Sequence, residues 1–180
     1  MPRYVAFLRA INVSGHTLKM DKLRQIFEQL DYEKVETFIA SGNVIFETPI
    51  QYPRQLEEIT GATLKKTLGY EAPVFIRTGK EVASIAAYQA FPLADMEAAI
   101  AFNIAFLYNI PDKQAISKLM ALKTDIDDFH IHEREIYWLC KKKQSDSTFS
   151  NAVLEKALGS YSTLRGINTI KKLTNKYQFS

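Results

Sequence analysis

The chain is poor in the residues that most often advertise a chemistry. Its single cysteine, Cys140, excludes an internal disulfide and points to a reducing compartment. Its few glycines compose neither a G-x-G-x-x-G fingerprint nor a Walker loop, so dinucleotide-binding and P-loop readings fall away. No apolar run approaches the ~20 residues that span a bilayer, so no membrane association is expected. Met1-Pro2-Arg3-Tyr4 leads straight into strand-like sequence without a signal-peptide layout. These absences lead to the expectation of a cytoplasmic protein with no cofactor.

What is present is a core-forming composition. Across 180 residues, 47% are apolar, ample for a packed interior and far from a disordered chain. The net charge of +3 is unevenly spread. Residues 141–180 carry eight Lys/Arg against two acids, a net +6, which leaves −3 for the remainder. A basic final quarter attracts anions or nucleic acid, or serves as a solvated face.

The same unit occurs twice. Val5-Ala6-Phe7-Leu8 reappears as Ile104-Ala105-Phe106-Leu107, 99 positions later. Phe38-Ile39 and Val44-Ile45-Phe46 are answered by His130-Ile131 and Ile136-Tyr137-Trp138, 92 positions on. Leu64-Lys65-Lys66-Thr67-Leu68-Gly69 is echoed by Leu154-Glu155-Lys156-Ala157-Leu158-Gly159, 90 positions on. Conserved order with a slowly drifting offset is the signature of a duplicated domain with shortened loops.

The first copy reads as strand 4–11, helix 20–30, hairpin strands 35–40 and 44–48, helix from Pro53 to Gly69, strand 73–78 and helix 80–89. The second reads as strand 101–108, helix 112–122, strands 128–132 and 136–141, helix 150–158, a weak strand at 163–166 and a helix 170–177. Both follow β-α-β-β-α-β with a trailing helix. The expected fold class is α+β, a tandem duplication of ferredoxin-like units with antiparallel sheets. Residues 1–90 form one half and 91–180 the other, packed as a rigid unit, and residues 90–100 join them. Val5–Leu8 and Ile104–Tyr108 are apolar on both faces, so each sheet's second face is expected to be covered.

A split β-α-β order places strand 1 between strands 3 and 4, so strand 1 ends where strand 3 begins. Arg9, Asn12, Gly15 and the Ser41-Gly42-Asn43 turn then share one pole, a set suited to a phosphate or carboxylate. The same Asn, Gly and Ser residues also serve to turn hairpins and cap helices. In the second copy Ser147, Asn151, Arg165, Asn168 and Thr169 gather at the opposite pole with Lys141–Lys143. Ser150 and Thr169 are candidate helix caps there. Were a pseudo-twofold axis to relate the halves, both poles would line one cleft.

Other chemistries fare worse. His130 and His132 share a strand face with Asp128, but nothing completes a metal set, so no metal is expected. Cys140 reads as a buried filler, and Ser41 with His16 lacks an orienting carboxylate. An RNA-recognition module needs an open sheet with stacking aromatics and a basic-glycine strand motif, which Val44-Ile45-Phe46 lacks. Weak nucleic-acid contact through Lys141–Lys143 is less favoured than a small anion.

Several motifs carry a family resemblance. Tyr4-Val5-Ala6-Phe7-Leu8-Arg9-Ala10-Ile11-Asn12-Val13-Ser14-Gly15 resembles the "YVALLRGINVGG" opening of a bacterial family, domain-of-unknown-function family 1697. Thr37–Phe46 is similar to its "TYIQSGNVVF", Ser150–Gly159 to its "SNALLEKKLG", and Thr163–Ile170 to its "TxRNWNTV". The chain departs from the family at Thr148, where a lysine is usual, and at Gly166-Ile167, where Asn-Trp is usual. The resemblance implies a duplicated ferredoxin-like fold in a cytoplasmic bacterial protein, and implies no reaction. The expectation is a protein that binds a small anionic, phosphate-bearing ligand at polar strand-end loops. A weak nucleic-acid module and a ligand-free, homodimeric structural protein are the alternatives.

Overall fold

The structure, a computed structural model, describes residues 1–9, 15, 17–39 and 42–180. The elements run β1 (Arg3–Leu8), α1 (Met20–Glu28), β2 (Glu33–Thr37), β3 (Asn43–Glu47), α2 (Pro53–Leu68), β4 (Val74–Thr78) and α3 (Gly79–Ala87). They continue with α4 (Leu93–Ala98), β5 (Ala101–Phe106), α5 (Lys113–Met120), β6 (Asp127–His132), β7 (Glu135–Cys140), α6 (Asn151–Leu158), β8 (Thr163–Gly166) and α7 (Ile167–Tyr177). The strands form two antiparallel four-stranded sheets, ordered β2-β3-β1-β4 and β6-β7-β5-β8. This is the duplicated α+β architecture that the repeats imply.

The registers superimpose position by position. Val5 lies opposite Arg77 and Ile45, and its counterpart Ile104 lies opposite Arg165 and Tyr137. The echoed helix ends are also alike. α2 and α6 each stop at a glycine in the left-handed region, Gly69 (φ 79°) and Gly159 (φ 68°), where a side chain is strained. Pro53 opens α2 with its φ already helical, whereas the Asp112 and Ser150 side chains cap α5 and α6.

The chain divides into two compact units, Met1–Ile85 with Leu173–Ser180, and Ala86–Lys172. In the first, α1 and α2 cover one sheet face through Leu23, Ile26, Phe27, Leu56 and Leu64. Tyr32 stacks on Phe46 at 4.4 Å and Phe27 meets it edge-on at 5.5 Å. In the second, Leu119, Phe149 and Leu154 pack on Ala105, Ile136 and Trp138. Each fully buried Leu or Phe contributes about 1.5–3 kcal/mol, so these layers supply most of the driving force.

The opposite faces are buried too, as the two-sided apolar strands require. Tyr137 is fully buried, and Tyr88 lies 5.2 Å from it. Phe91 meets Phe102 edge-on. In the first unit, Tyr177 donates to Glu36 at 2.9 Å and meets Phe38 edge-on. No helix among the described residues is long and apolar enough to cross a membrane.

Two boundaries differ from expectation. The joining segment holds α4, a short helix with no buried residue and hence no apolar periodicity to betray it. α7 starts at Ile167, directly after β8, so Thr169 is its third residue and not its cap.

Candidate functional site

Each unit has a junction where its fourth strand runs straight into the trailing helix, and the two junctions are built differently. In the first, Thr78 and Glu81 form a reciprocal capping box. The Thr78 amide donates to Glu81 Oε2 at 2.7 Å and the Glu81 amide donates to Thr78 Oγ1 at 3.1 Å. Glu81 also sets a negative charge on the helix's positive end. The Phe179 ring fills the space beside Gly79, lying 2.6 Å from where a Cβ would stand.

In the second unit the equivalent pair, by strand register, is Gly166 and Thr169. Gly166 has no side chain with which to cap, and the first turn of α7 contains no acid. The first amides of a helix have no partner within it. Here they open on a cleft of about 610 Å³ lined by Asn103, Gly166, Asn168, Thr169 and Lys171. Asn168 and Lys171 are exposed and Thr169 is half-buried.

Asn103 comes from the start of β5 and is only 8% exposed. Its Nδ2 donates to Gln144 Oε1 at 3.3 Å. Its Oδ1 lies 3.8 Å from where a Cβ on Gly166 would stand, beside the start of α7. The amide pair is equally satisfied with both groups turned over, which presents the Asn103 Nδ2 to the cleft as a donor. The rest of the lining is apolar and comes largely from α4 and its flanks, namely Leu93, Met96, Ile100 and Phe102, with Glu97 as an acid.

The other residues marked out by sequence are more widely dispersed. Ser147 donates to Asp127 at 2.7 Å and accepts the Phe149 amide at 2.9 Å, tying down the loop before α6. Asn151 grips the residue before β8, donating to the Ser162 carbonyl at 3.0 Å and accepting the Ser162 hydroxyl at 2.6 Å. Arg165 is buried, and its Nη1 donates to Thr163 Oγ1 and the Leu164 carbonyl, each at 2.8 Å. Burial lowers its guanidinium pKa to about 10. It does not line the cleft.

At the first pole the Leu8 amide donates to the Gly42 carbonyl and the Arg9 amide to the Pro73 carbonyl, both at 2.9 Å. The end of β1 and the hairpin do therefore meet. Asn43 is fully buried and its side-chain amide donates to the Phe38 carbonyl at 2.9 Å, closing the turn. Gly15 sits in the left-handed region at φ 80°. Asn12 and Ser41, like His16, lie outside the described residues. Sequence reasoning missed Asn103, Lys171 and the apolar wall.

Among the described residues, Cys140 and the His130–His132 pair are taken up in packing and hydrogen bonding. Cys140 is fully buried, and that burial raises its thiol pKa, away from the reactive thiolate. His130 Nε2 shares a hydrogen bond with the Tyr88 hydroxyl at 2.9 Å, and His132 stacks on the same ring at 4.0 Å. Asp128 caps the Phe129 amide and pairs with Lys123. Among the described residues no group of three His, Cys, Asp or Glu could hold a metal ion. Tyr137, beneath Tyr88, offers no open surface on which a base could stack.

Comparison with known proteins gives family and fold. A family model described as "Protein of unknown function (DUF1697)" matches residues 1–137. Among solved structures, the conserved bacterial protein SP0830 from Streptococcus pneumoniae is similar over 99% of each chain, with a TM-score of 0.79 at 22% identity. No curated protein matches the chain.

Proposed function

Since the chain belongs to domain-of-unknown-function family 1697, whose description names no reaction, we propose from its geometry that it binds a small phosphate-bearing anion in the second unit's cleft. The observation that carries this reading is the contrast between the two strand-to-helix junctions. The first is closed by its own carboxylate, Glu81. The second, at Gly166–Thr169, has neither cap nor acid and opens on Asn103, Asn168 and Lys171. An uncapped helix start beside a lysine and side-chain amides supports the reading of an anion site.

The reading draws on Asn168 and Thr169 and on the lysine-rich final quarter. Arg165 supports the site from behind, as a buried charge on the strand that leads into α7. The pole bearing Arg9 and Gly42 is a second candidate for the same chemistry.

Thermal-shift and calorimetric titration with inorganic phosphate at low ionic strength tests the proposal. Binding is expected in the wild type and is expected to vanish in Thr169→Glu, which recreates the arrangement at Glu81. Loss in Arg9→Ala instead would move the site to the first pole. Salt-sensitive retention of short RNA that depends on Lys141–Lys143 would favour a nucleic-acid module. No response to any probe, together with a stable dimer on sizing, would favour a ligand-free structural protein.

A further inference from the structure

The cleft at the head of α7 has two chemically distinct ends, and an inorganic anion uses only one. The polar end is Asn103, Asn168, Thr169 and Lys171. The side chains of Asn168, Thr169 and Lys171, and the Oδ1 of Asn103, have no partner among the described residues. Asn103 is 8% exposed and its Oδ1 is not among the buried polar atoms left unsatisfied, so the free end of its amide meets the water of the cleft, as a donor where the Asn103–Gln144 pair is turned over.

The other end is apolar and mostly aliphatic. Leu93, Met96 and Ile100 line it together with the partly buried Phe102, and Leu93 and Ile100 are 60% and 64% exposed. Large apolar side chains gathered on the wall of a polar cleft are not the scattered exposure that any surface shows. Leu93, Met96 and Ile100 are flexible, with methionine the most adaptable of side chains, and none of the wall residues carries a fixed donor or acceptor. Such a wall does not read the edge of a nucleobase. It suits a chain of methylenes.

We infer that the ligand of this cleft is an anionic amphiphile, a phosphate or carboxylate head on an alkyl or acyl body. The head sits at the α7 amides with Asn103, Thr169 and Lys171, and the body lies along Leu93, Met96 and Ile100. This inference rests on the anion-binding reading above and specifies the other half of the molecule bound there. The same chemistry is presented by a soluble acyl ligand and by the headgroup region of an anionic bilayer. The cleft's volume of about 610 Å³ accommodates a single short chain, so the soluble form is the one assigned.

The experiment is a calorimetric series on the full chain with inorganic phosphate, ethyl, butyl and hexyl phosphate, adenosine monophosphate, and vesicles of neutral or anionic phospholipid. The expected result is tightening of up to about fourfold for each methylene buried, levelling off once the wall is covered. Met96→Glu is expected to flatten that series while inorganic phosphate binding persists, and Thr169→Glu to weaken every member. Glu97→Gln is expected to tighten every member by removing a like charge from the lining.

A flat series with phosphate binding intact overturns the amphiphile and leaves the anion site standing. Absence of phosphate binding together with absence of alkyl phosphate binding overturns both. Tighter binding of adenosine monophosphate than of hexyl phosphate overturns the alkyl body in favour of a base. Binding to anionic vesicles without binding to monodisperse hexyl phosphate overturns the enclosed ligand in favour of a membrane surface. Should Met96→Glu unfold the chain, Ile100→Ser serves as the second variant, with circular dichroism confirming its fold.

Discussion

The two units share a strand order and differ in how they satisfy polar groups around it. At equivalent register positions each carries a buried arginine on its fourth strand, Arg77 at 1% and Arg165 at 7% exposed. Each arginine's Nη1 donates to the carbonyl of the residue before it, Ile76 at 3.0 Å and Leu164 at 2.8 Å. Arg77 meets the buried Glu57 of α2 at 3.4 Å, and Glu57 also accepts the Ile76 amide at 2.9 Å. In the second unit the helix glutamate is Glu155 of α6, and it holds the amide of Ser162, ahead of the strand. Both units use buried carboxylates internally, and the first also sets one, Glu81, on its α3 terminus. The second leaves the matching terminus open, which is where a ligand has room to bind.

The sharpest way to break this contrast is to remove one partner of the first unit's buried pair. Arg77→Met is expected to cost about 3–5 kcal/mol, because it leaves Glu57 charged and buried. Urea denaturation measures it, and adding Glu57→Leu should recover most of the loss. Equal stability of the single and double variants would mean that the pair is not the organising contact.

Next in size is the second unit's own buried carboxylate, Asp127. It accepts from Trp138 Nε1 at 2.8 Å, Ser147 Oγ at 2.7 Å and Thr124 Oγ1 at 3.1 Å. Asp127→Ala is expected to cost about 2–3 kcal/mol, from groups left unsatisfied. Trp138 is the single tryptophan of the chain, so its emission reports this unit, whereas circular dichroism reports both. Comparing the two probes tells whether the Asp127 and Arg77 variants weaken one unit or the whole chain.

A third comparison exchanges the junctions. Thr169→Glu should abolish the phosphate response yet stabilise α7 by about 0.3–1 kcal/mol, as an acid at a helix start does. Thermal melts with and without phosphate separate the two effects. A variant that still binds phosphate would show that the open junction is not the site.

The smallest expected effect concerns pH. Hydrogen bonds from Lys34 and then Arg3 hold the Glu47 carboxyl below its ordinary value of 4.5. A carboxyl whose folded pKa is depressed stabilises above the unfolded value, and the contribution fades as pH falls through the folded one. Lys34 is 66% and Arg3 38% exposed, so solvent screening limits the contribution to under about 1 kcal/mol. Glu47→Gln should therefore be less stable than wild type at pH 7, with the gap closing below about pH 4.5 in parallel denaturation curves. The second unit has no part in this, so Trp138 emission serves as the control.

Strand positions and order were readable because apolar runs such as Val5–Leu8 and Ile104–Leu107 are bounded by turn residues, and because repetition doubles every signal. The proposed site was only half readable. Asn168 and Thr169 stood out as polar residues next to a strand. Asn103 did not, because its neighbours on β5 are apolar and a lone asparagine there reads as one more core position. The aliphatic wall was hidden because α4 buries none of its residues and thus shows no periodicity. Arg165 was placed at the pole because a four-residue strand ending in Gly166 has too little alternation to reveal that its side chain turns inward.

Leu173–Ser180 belongs to the unit built from the opening residues, where Tyr177 reaches Glu36 and Phe179 fills the space beside Gly79. A ribosome emits those residues only after the whole of Ala86–Lys172. That unit is thus left without its final piece until the other has been made, even though domains otherwise tend to fold in the order they are made. Expression of residues 1–90 alone should accordingly give a polypeptide with sticky, unsealed surface, and supplying the 173–180 peptide in trans is the remedy this predicts.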